Sequence, residues 1–216
     1  MTAFGYPVFL ELAGRRCVVI GTTAVREGKA EGLLAAGATD VVVIAQAPAA
    51  ALDALDLREG LTVERRPWRP SDLDGAFVVI GSSDDPAARS AIAREARTRG
   101  ALVNVMDDVS NCDWAAPSVV RRGDLVLAIS TGGASPALTR RLREDLSERY
   151  GEHWGELVDV LRQVRAETLP LLPDLAVRSR RWQLALDLDE AEKLLAAGHR
   201  QELIERLRAR LIGGAR

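Results

Sequence analysis

The chain has 216 residues, 47% of them apolar and 28% charged, enough to bury one good core with a smaller appendage. A formal net charge of −2 argues against a nucleic-acid footprint on the scale of the whole chain, and no apolar run approaches the roughly 18 residues that a membrane span needs. Two cysteines, Cys17 and Cys112, are too few for a disulfide framework and have no metal-ligand spacing, so a reducing cytoplasm is the expected compartment.

The opening residues, MTAFGYPVFLELAGRR, lack a basic start followed by an apolar core and a small-residue cleavage site, so no secretory signal is expected. Cys17 to Ile20 (CVVI) is predicted as a buried strand from its β-branched run. Gly21-Thr22-Thr23 turns into a helix from about Ala24 to Ala36, stopped by Gly37. Val41 to Ile44 is a second strand, and Ala47 to Ala50 begins a loop or short helix. Leu61 to Arg65 alternates as a third strand, Ser71 to Asp74 caps a short turn, and Phe77 to Ile80 is a fourth strand. Asp85-Pro86 starts a helix that Gly100 ends. A fifth apolar run from Ala101 to Val105 breaks into the carboxylates Asp107, Asp108 and Asp113.

Strands alternating with helices imply an α/β fold, a Rossmann-like doubly wound parallel sheet. Ligands of such sheets bind beyond the carboxyl ends of the strands, which puts Asp107 where a catalytic acid or base is useful. Asp107 and Asp108 as mere turn residues is an equally open reading. The first strand and its turn form the usual pyrophosphate site. Of the expected G-x-G-x-x-G/A, however, only Gly21 is present, with Thr23 and Arg26 at the other two positions. No acid closes the second strand, where Ala45 and Gln46 stand. Thr22, Thr23 and Arg26 still offer donors to a phosphate.

After Pro117 the pattern changes. Ser118 to Gly123 and Asp124 to Ile129 are predicted as two strands around a tight turn. The loop Ser130-Thr131-Gly132-Gly133-Ala134-Ser135 leads into a helix from Pro136 to Tyr150 that carries Arg140, Arg141 and Arg143. A Gly-rich loop before a helix suits an anion, while Ser135 as cap and Pro136 at the first position explain the same residues structurally. From Gly151 onward apolar residues recur at spacings of three and four, so a helical appendage with Trp154 and Trp182 in its core is expected. His153 and His199 have no ligand-spaced partner and are expected at surfaces or interfaces. Nearly all basic residues are arginine, whose fork suits a ligand rich in carboxylates.

Four segments together resemble the precorrin-2 dehydrogenase and sirohydrochlorin ferrochelatase family, the amino-terminal module of siroheme synthase. They are YPVFLELAGRRCVVIG, SSDDPAARSAIAREARTRGALVNVMDD, CDWAAPSVVRRGDLVLAISTGGASPALTRRLRE and LLAAGHRQELIERL. The resemblance implies an NAD-binding domain over residues 1–113, a dimerisation segment over 114–150 and a helical domain over 151–216. It also implies a homodimer with a tetrapyrrole substrate, and neither nucleic acid nor membrane as partner. Asp107 matches the aspartate of the family's N-V-x-D segment, the residue associated with both dehydrogenation and metal insertion. The resemblance assigns Gly21, Thr22, Thr23, Ala24, Val25 and Ser83 to NAD. It assigns Arg122, Ser130, Thr131, Gly132, Gly133, Ser135 and Arg140 to the substrate, with Arg121 and Arg141 flanking them.

The activity this implies is NAD-dependent oxidation of precorrin-2 to sirohydrochlorin, joined in bifunctional members by insertion of ferrous iron. The family's loop usually reads G-G-G-x-V-A-x-R-K, of which this chain keeps Gly21, Val25 and Lys29. Two alternatives therefore stand beside the dehydrogenase: a chelatase that has lost NAD, and a non-catalytic tetrapyrrole-binding dimer.

Overall fold

Side chains alternate across a strand, so a run of β-branched residues buried on both faces belongs inside a covered parallel sheet. The computed structural model describes residues 4–26, 28–46, 52, 53, 55 and 57–213. In it β1 (Arg16–Ile20), β2 (Asp40–Ile44), β3 (Leu61–Glu64), β4 (Ala76–Gly81) and β5 (Leu102–Val105) form one parallel sheet in the order β3-β2-β1-β4-β5. One face (Cys17, Val19, Val41, Val43, Val78, Ile80) packs on the first helical segments through Ala24, Ala30 and Leu33. The other (Val18, Ile20, Val42, Val79, Val103, Val105) packs on Ile92, Ala93 and Ala96. The expected doubly wound architecture is therefore present.

One helix of the sequence reading is two. Instead of a continuous Ala24–Ala36 helix there are α1 (Thr22–Arg26) and α2 (Lys29–Ala35), separated at Gly28, whose φ of 66° is left-handed. A left-handed residue cannot continue a right-handed helix, and glycine takes that conformation at no steric cost. The reading of Ala47–Ala50 lies outside the described residues. Helix α3 (Pro86–Thr98) starts as expected: the Asp85 carboxylate accepts from the Ala87 amide at 2.9 Å and Pro86 takes the first position.

The chain divides into two compact units, Met1–Ala116 and Pro117–Arg216. The first runs past Asp113 because residues 112–114 turn back along β5. The Asp113 amide donates to the Val103 carbonyl at 2.7 Å, and the Asp113 carboxylate accepts from the Val103 amide at 3.1 Å. The open side of β5 is thus satisfied by this return rather than by another strand.

In the second unit β6 (Ser118–Arg122) and β7 (Leu125–Ile129) pair antiparallel, closed by Gly123-Asp124 with Gly123 at φ 53°. They are followed by α4 (Pro136–Arg149), α5 (His153–Thr168), α6 (Leu175–Ala185), α7 (Leu188–Ala196) and α8 (Arg200–Gly213). Helix α5 meets the hairpin backbone to backbone: a Cβ on Gly155 would lie 3.0 Å from the Arg122 carbonyl. That contact joins the hairpin to the helices in one unit. The helical core is Leu157, Val160, Val164, Leu203, Ile204, Leu207 and Leu211, with Trp154 and Trp182 packed against it as expected. Half-buried His153 pairs with Glu192 at 3.1 Å and exposed His199 with Glu202 at 3.4 Å.

Candidate active site

In a sheet of this order the crevice opens at the carboxyl ends of β1 and β4, where the crossovers leave in opposite directions. Gly21 and Ser82 meet there. Gly21 has φ 97°, and a Cβ on it would lie 2.1 Å from the Ser82 carbonyl oxygen, so no other residue fits. The buried Ser82 hydroxyl donates to the Ile20 carbonyl at 3.2 Å and accepts from the Ala24 amide at 3.0 Å, pinning α1 to β4.

Those bonds decide what the loop offers to an anion. The Gly21 amide donates to Ile44, Ala24 to Ser82 and Val25 to Gly21, so three of the five amides from Gly21 to Val25 are spent within the protein. The amides of Thr22 and Thr23, in the first turn of α1, have no acceptor among the described residues and point toward the crevice end of the helix. This fits one end of a pyrophosphate: the first glycine is kept, two donors are open and the helix start favours negative charge. Ala24 and Val25 are buried in the core and act as supports.

Ser83 follows Ser82 on the same edge. Its hydroxyl accepts from the Asp85 amide at 3.2 Å, and its carbonyl accepts from Arg89 at 2.9 Å. Arg89 also pairs with Asp108 at 3.2 Å, tying the loop after β4 to the loop after β5. Sequence reasoning singled out neither Ser82 nor Arg89. The only signal was a hydroxyl directly after an apolar strand.

The loop after β5 explains each residue of Asn104-Val105-Met106-Asp107. Asn104 Nδ2 donates to the Trp114 carbonyl at 2.8 Å, Val105 is buried, and the Met106 amide donates to the Gly81 carbonyl at 2.9 Å, extending the β4–β5 ladder. Asp107 then turns the chain with φ 58°. It is exposed, and its carboxylate has no partner among the described residues.

The neighbouring acids are committed. Asp108 accepts from Ser110 at 2.7 Å, Asn111 at 2.9 Å and Arg89 at 3.2 Å, and these bonds, Ser110 first, hold its carboxyl down at about 2. Asp113 pairs with Arg97 at 2.9 Å. Burial raises the Cys112 thiol, which donates to the carbonyls of Val105 and Asp108 at 3.1 and 3.2 Å. Of the three aspartates after β5, only Asp107 is left for chemistry.

In the second unit Gly132 and Gly133 have φ 60° and 82° and the hydroxyls close the loop internally. Ser130 accepts from the Gly132 amide, Thr131 accepts from Ser135, and Ser135 caps α4 through Leu138, each at 3.2 Å. The arginines divide in two. Arg122 is engaged within the unit, donating to the carbonyl and hydroxyl of Ser147 at 3.0 and 2.9 Å and lying 3.3 Å from Glu152. Arg121 is exposed, and its side chain has no partner among the described residues. Arg140 and Arg141 are exposed and, among the described residues, pair along their helix, with Glu144 at 3.0 Å and Asp145 at 3.2 Å. A groove of about 330 Å³ beside β6 and α4 is lined by Val119, Arg121, Arg122, Arg143 and Glu144. Among the described residues no cluster of three His, Cys, Asp or Glu side chains is placed to hold a metal, and no helix is long and apolar enough to cross a membrane.

Residues 8–118 match a family model described as putative NAD(P)-binding, and residues 122–149 match one described as sirohaem biosynthesis protein, central. The siroheme synthase of Chromobacterium violaceum is 34% identical over 215 residues, which are 97% of this chain and 44% of that protein. The siroheme synthase of Azotobacter vinelandii is 34% identical over 210 residues, 97% of this chain and 45% of its own length. The chain thus spans less than half the length of these relatives. Among solved structures, the precorrin-2 dehydrogenase SirC is similar with a TM-score of 0.63 and 28% identity, over 94% of this chain and 98% of that one.

Proposed function

The chain belongs to the precorrin-2 dehydrogenase and siroheme synthase family, and from that premise we propose that it oxidises precorrin-2 to sirohydrochlorin with NAD as the hydride acceptor. The observation that carries this reading is the carboxyl edge of the sheet. Among the described residues it combines two amides without an acceptor, at Thr22 and Thr23, with an exposed carboxylate without a partner, at Asp107. Two strand spacings separate the ends of β1 and β5, about 10 Å, so one extended ligand pair can reach both.

NAD, when bound, supplies the acceptor for a hydride. Gly21 and the Thr22 and Thr23 amides hold the pyrophosphate, with Ser82 fixing the loop's shape. Ser83 lines the path from the loop toward β5. Oxidation removes a proton as well as a hydride, and Asp107 accepts that proton. Arg89 and Asp108 hold the two loops in register while it does so.

Carboxylates of the tetrapyrrole are bound by Arg121 and Arg140, assisted by Arg141 and by the Ser130, Thr131, Gly132, Gly133 and Ser135 loop. The helical partners of Arg140 and Arg141 are exposed ion pairs, worth little and readily exchanged for a ligand carboxylate. Arg122 contributes by anchoring β6. We also propose a homodimer, because a two-stranded sheet with Val119, Leu138 and Leu142 exposed offers apolar surface for a second copy. Free thiols at Cys17 and Cys112 suit a reducing cytoplasm.

Anaerobic incubation with precorrin-2 tests the reading. Sirohydrochlorin is expected to form only when NAD is added, with one reduced nicotinamide per ring oxidised. No conversion with NAD present overturns it. The exposed Asp107 carboxylate supports a second activity, ferrous iron insertion, since chelation also strips protons from the ring. Siroheme formation from sirohydrochlorin and ferrous iron without NAD checks that one independently.

A further inference from the structure

The adenosine ribose of a dinucleotide lies beyond the end of the second strand. An Asp or Glu about 20 residues past the first glycine there accepts the 2′-hydroxyl and rejects a 2′-phosphate. In this chain that position carries no charge. Strand β2 ends at Ile44, and Ala45 is buried with its amide donating to the Glu64 carbonyl at 3.2 Å. Gln46 is exposed, and its carbonyl accepts from the Thr22 hydroxyl at 3.5 Å, which sets Gln46 beside the loop that opens at Gly21.

The sequence from Ala47 to Leu52 adds no ionisable group. On the neighbouring strand Glu64 lies 3.4 Å from Arg66, which Asp72 holds more closely at 2.8 Å, and Arg65 pairs with Asp53 at 2.6 Å, so each of these charges already has a partner within the protein. The side chain at the ribose position is thus an amide, with an oxygen that accepts from a hydroxyl and an NH₂ that donates to a phosphate.

We infer that the ribose site of this chain does not discriminate the 2′ substituent, so that NADP is bound about as tightly as NAD. The inference rests on the dinucleotide reading proposed above. Specificity here needs a repulsive element as well as an attractive one, and neither stands at this position among the described residues.

Calorimetric titration of the full chain with NAD and with NADP tests this without recourse to turnover. Dissociation constants within about tenfold of each other are expected. Gln46→Asp is expected to move their ratio at least about tenfold toward NAD, since it supplies the missing carboxylate. Circular dichroism should be unchanged in that variant, because Gln46 is exposed. A wild-type preference beyond tenfold in either direction overturns the inference, as does an unchanged ratio in folded Gln46→Asp. If neither dinucleotide binds, the dinucleotide reading itself fails and the inference with it; NAD binding alone overturns only the inference.

Discussion

Replacing Asp107 separates chemistry from architecture, because its backbone and its carboxylate are expected to respond in opposite directions. The residue sits at φ 58° with an exposed side chain that has no partner among the described residues. A left-handed conformation costs an ordinary residue with a Cβ about 1–2 kcal/mol, Asp and Asn less, and Gly nothing. Asp107→Asn should therefore leave stability unchanged, Asp107→Gly should leave it unchanged or raise it, and Asp107→Ala should lower it by about 1 kcal/mol. In a unit of this size that is a fall in Tm of about 4 °C. All three should lose the proton acceptor and with it roughly 10²–10⁴-fold in rate. Dinucleotide affinity should stay within about twofold, because β5 stands two strand spacings from Gly21. Thermal melts, calorimetric titration and anaerobic absorbance of reduced nicotinamide read the three quantities separately. Full activity in Asp107→Asn refutes the chemical role. A Gly variant less stable than the Ala variant refutes the account of the backbone.

Other parts of the structure make equally definite claims. Ser82→Ala should leave the buried Ala24 amide without its acceptor, costing about 1–3 kcal/mol in urea unfolding and weakening dinucleotide binding with it. The Asp108 carboxyl lies at about 2 against an ordinary 3.8, so its stabilising contribution is complete above about 4 and is lost as pH falls toward 2. Acid melts of Asp108→Asn should accordingly show a shallower loss of stability in that window than wild type. Arg122→Ala should lower the melting temperature by breaking the bonds to Ser147, whereas Arg140→Ala should leave melting unchanged and weaken tetrapyrrole binding by about 1–3 kcal/mol. The opposite pattern in fluorescence titrations would reverse the roles given to these two arginines.

The sheet was legible because β-branched runs such as Val41–Ile44 and Phe77–Ile80 are short, fully buried and bounded by turn residues. Asp85-Pro86 and Ser135-Pro136 fixed two helix starts through local hydrogen bonds that need only near neighbours. Gly28 misled in the other direction: a single glycine in a helical pattern reads as tolerated, and only its left-handed angle in the folded chain breaks the helix. At the site, the NVMD segment pointed to Asp107; Ser110 and Asn111 claim Asp108 locally, but the rest of what sets Asp108 and Asp113 apart is distant in sequence. Their partners Arg89 and Arg97 come from α3, 16 or more residues away in the chain. The same distance hid Ser82, whose importance lies in reaching across to Ala24 and Ile20. Arg122 looked like its neighbours on β6 and α4 until Ser147 claimed it.

The central claim is that the altered loop from Gly21 to Val25 still receives a dinucleotide pyrophosphate. Backbone amide resonances of the full chain, followed by nuclear magnetic resonance as NAD is added, test it at the atoms concerned. Saturable shifts should be largest at Thr22 and Thr23, the two amides of the loop with no acceptor among the described residues, with smaller ones at Gly21, Ser82 and Ser83. Unmoved Thr22 and Thr23 amides at saturating NAD would contradict the account.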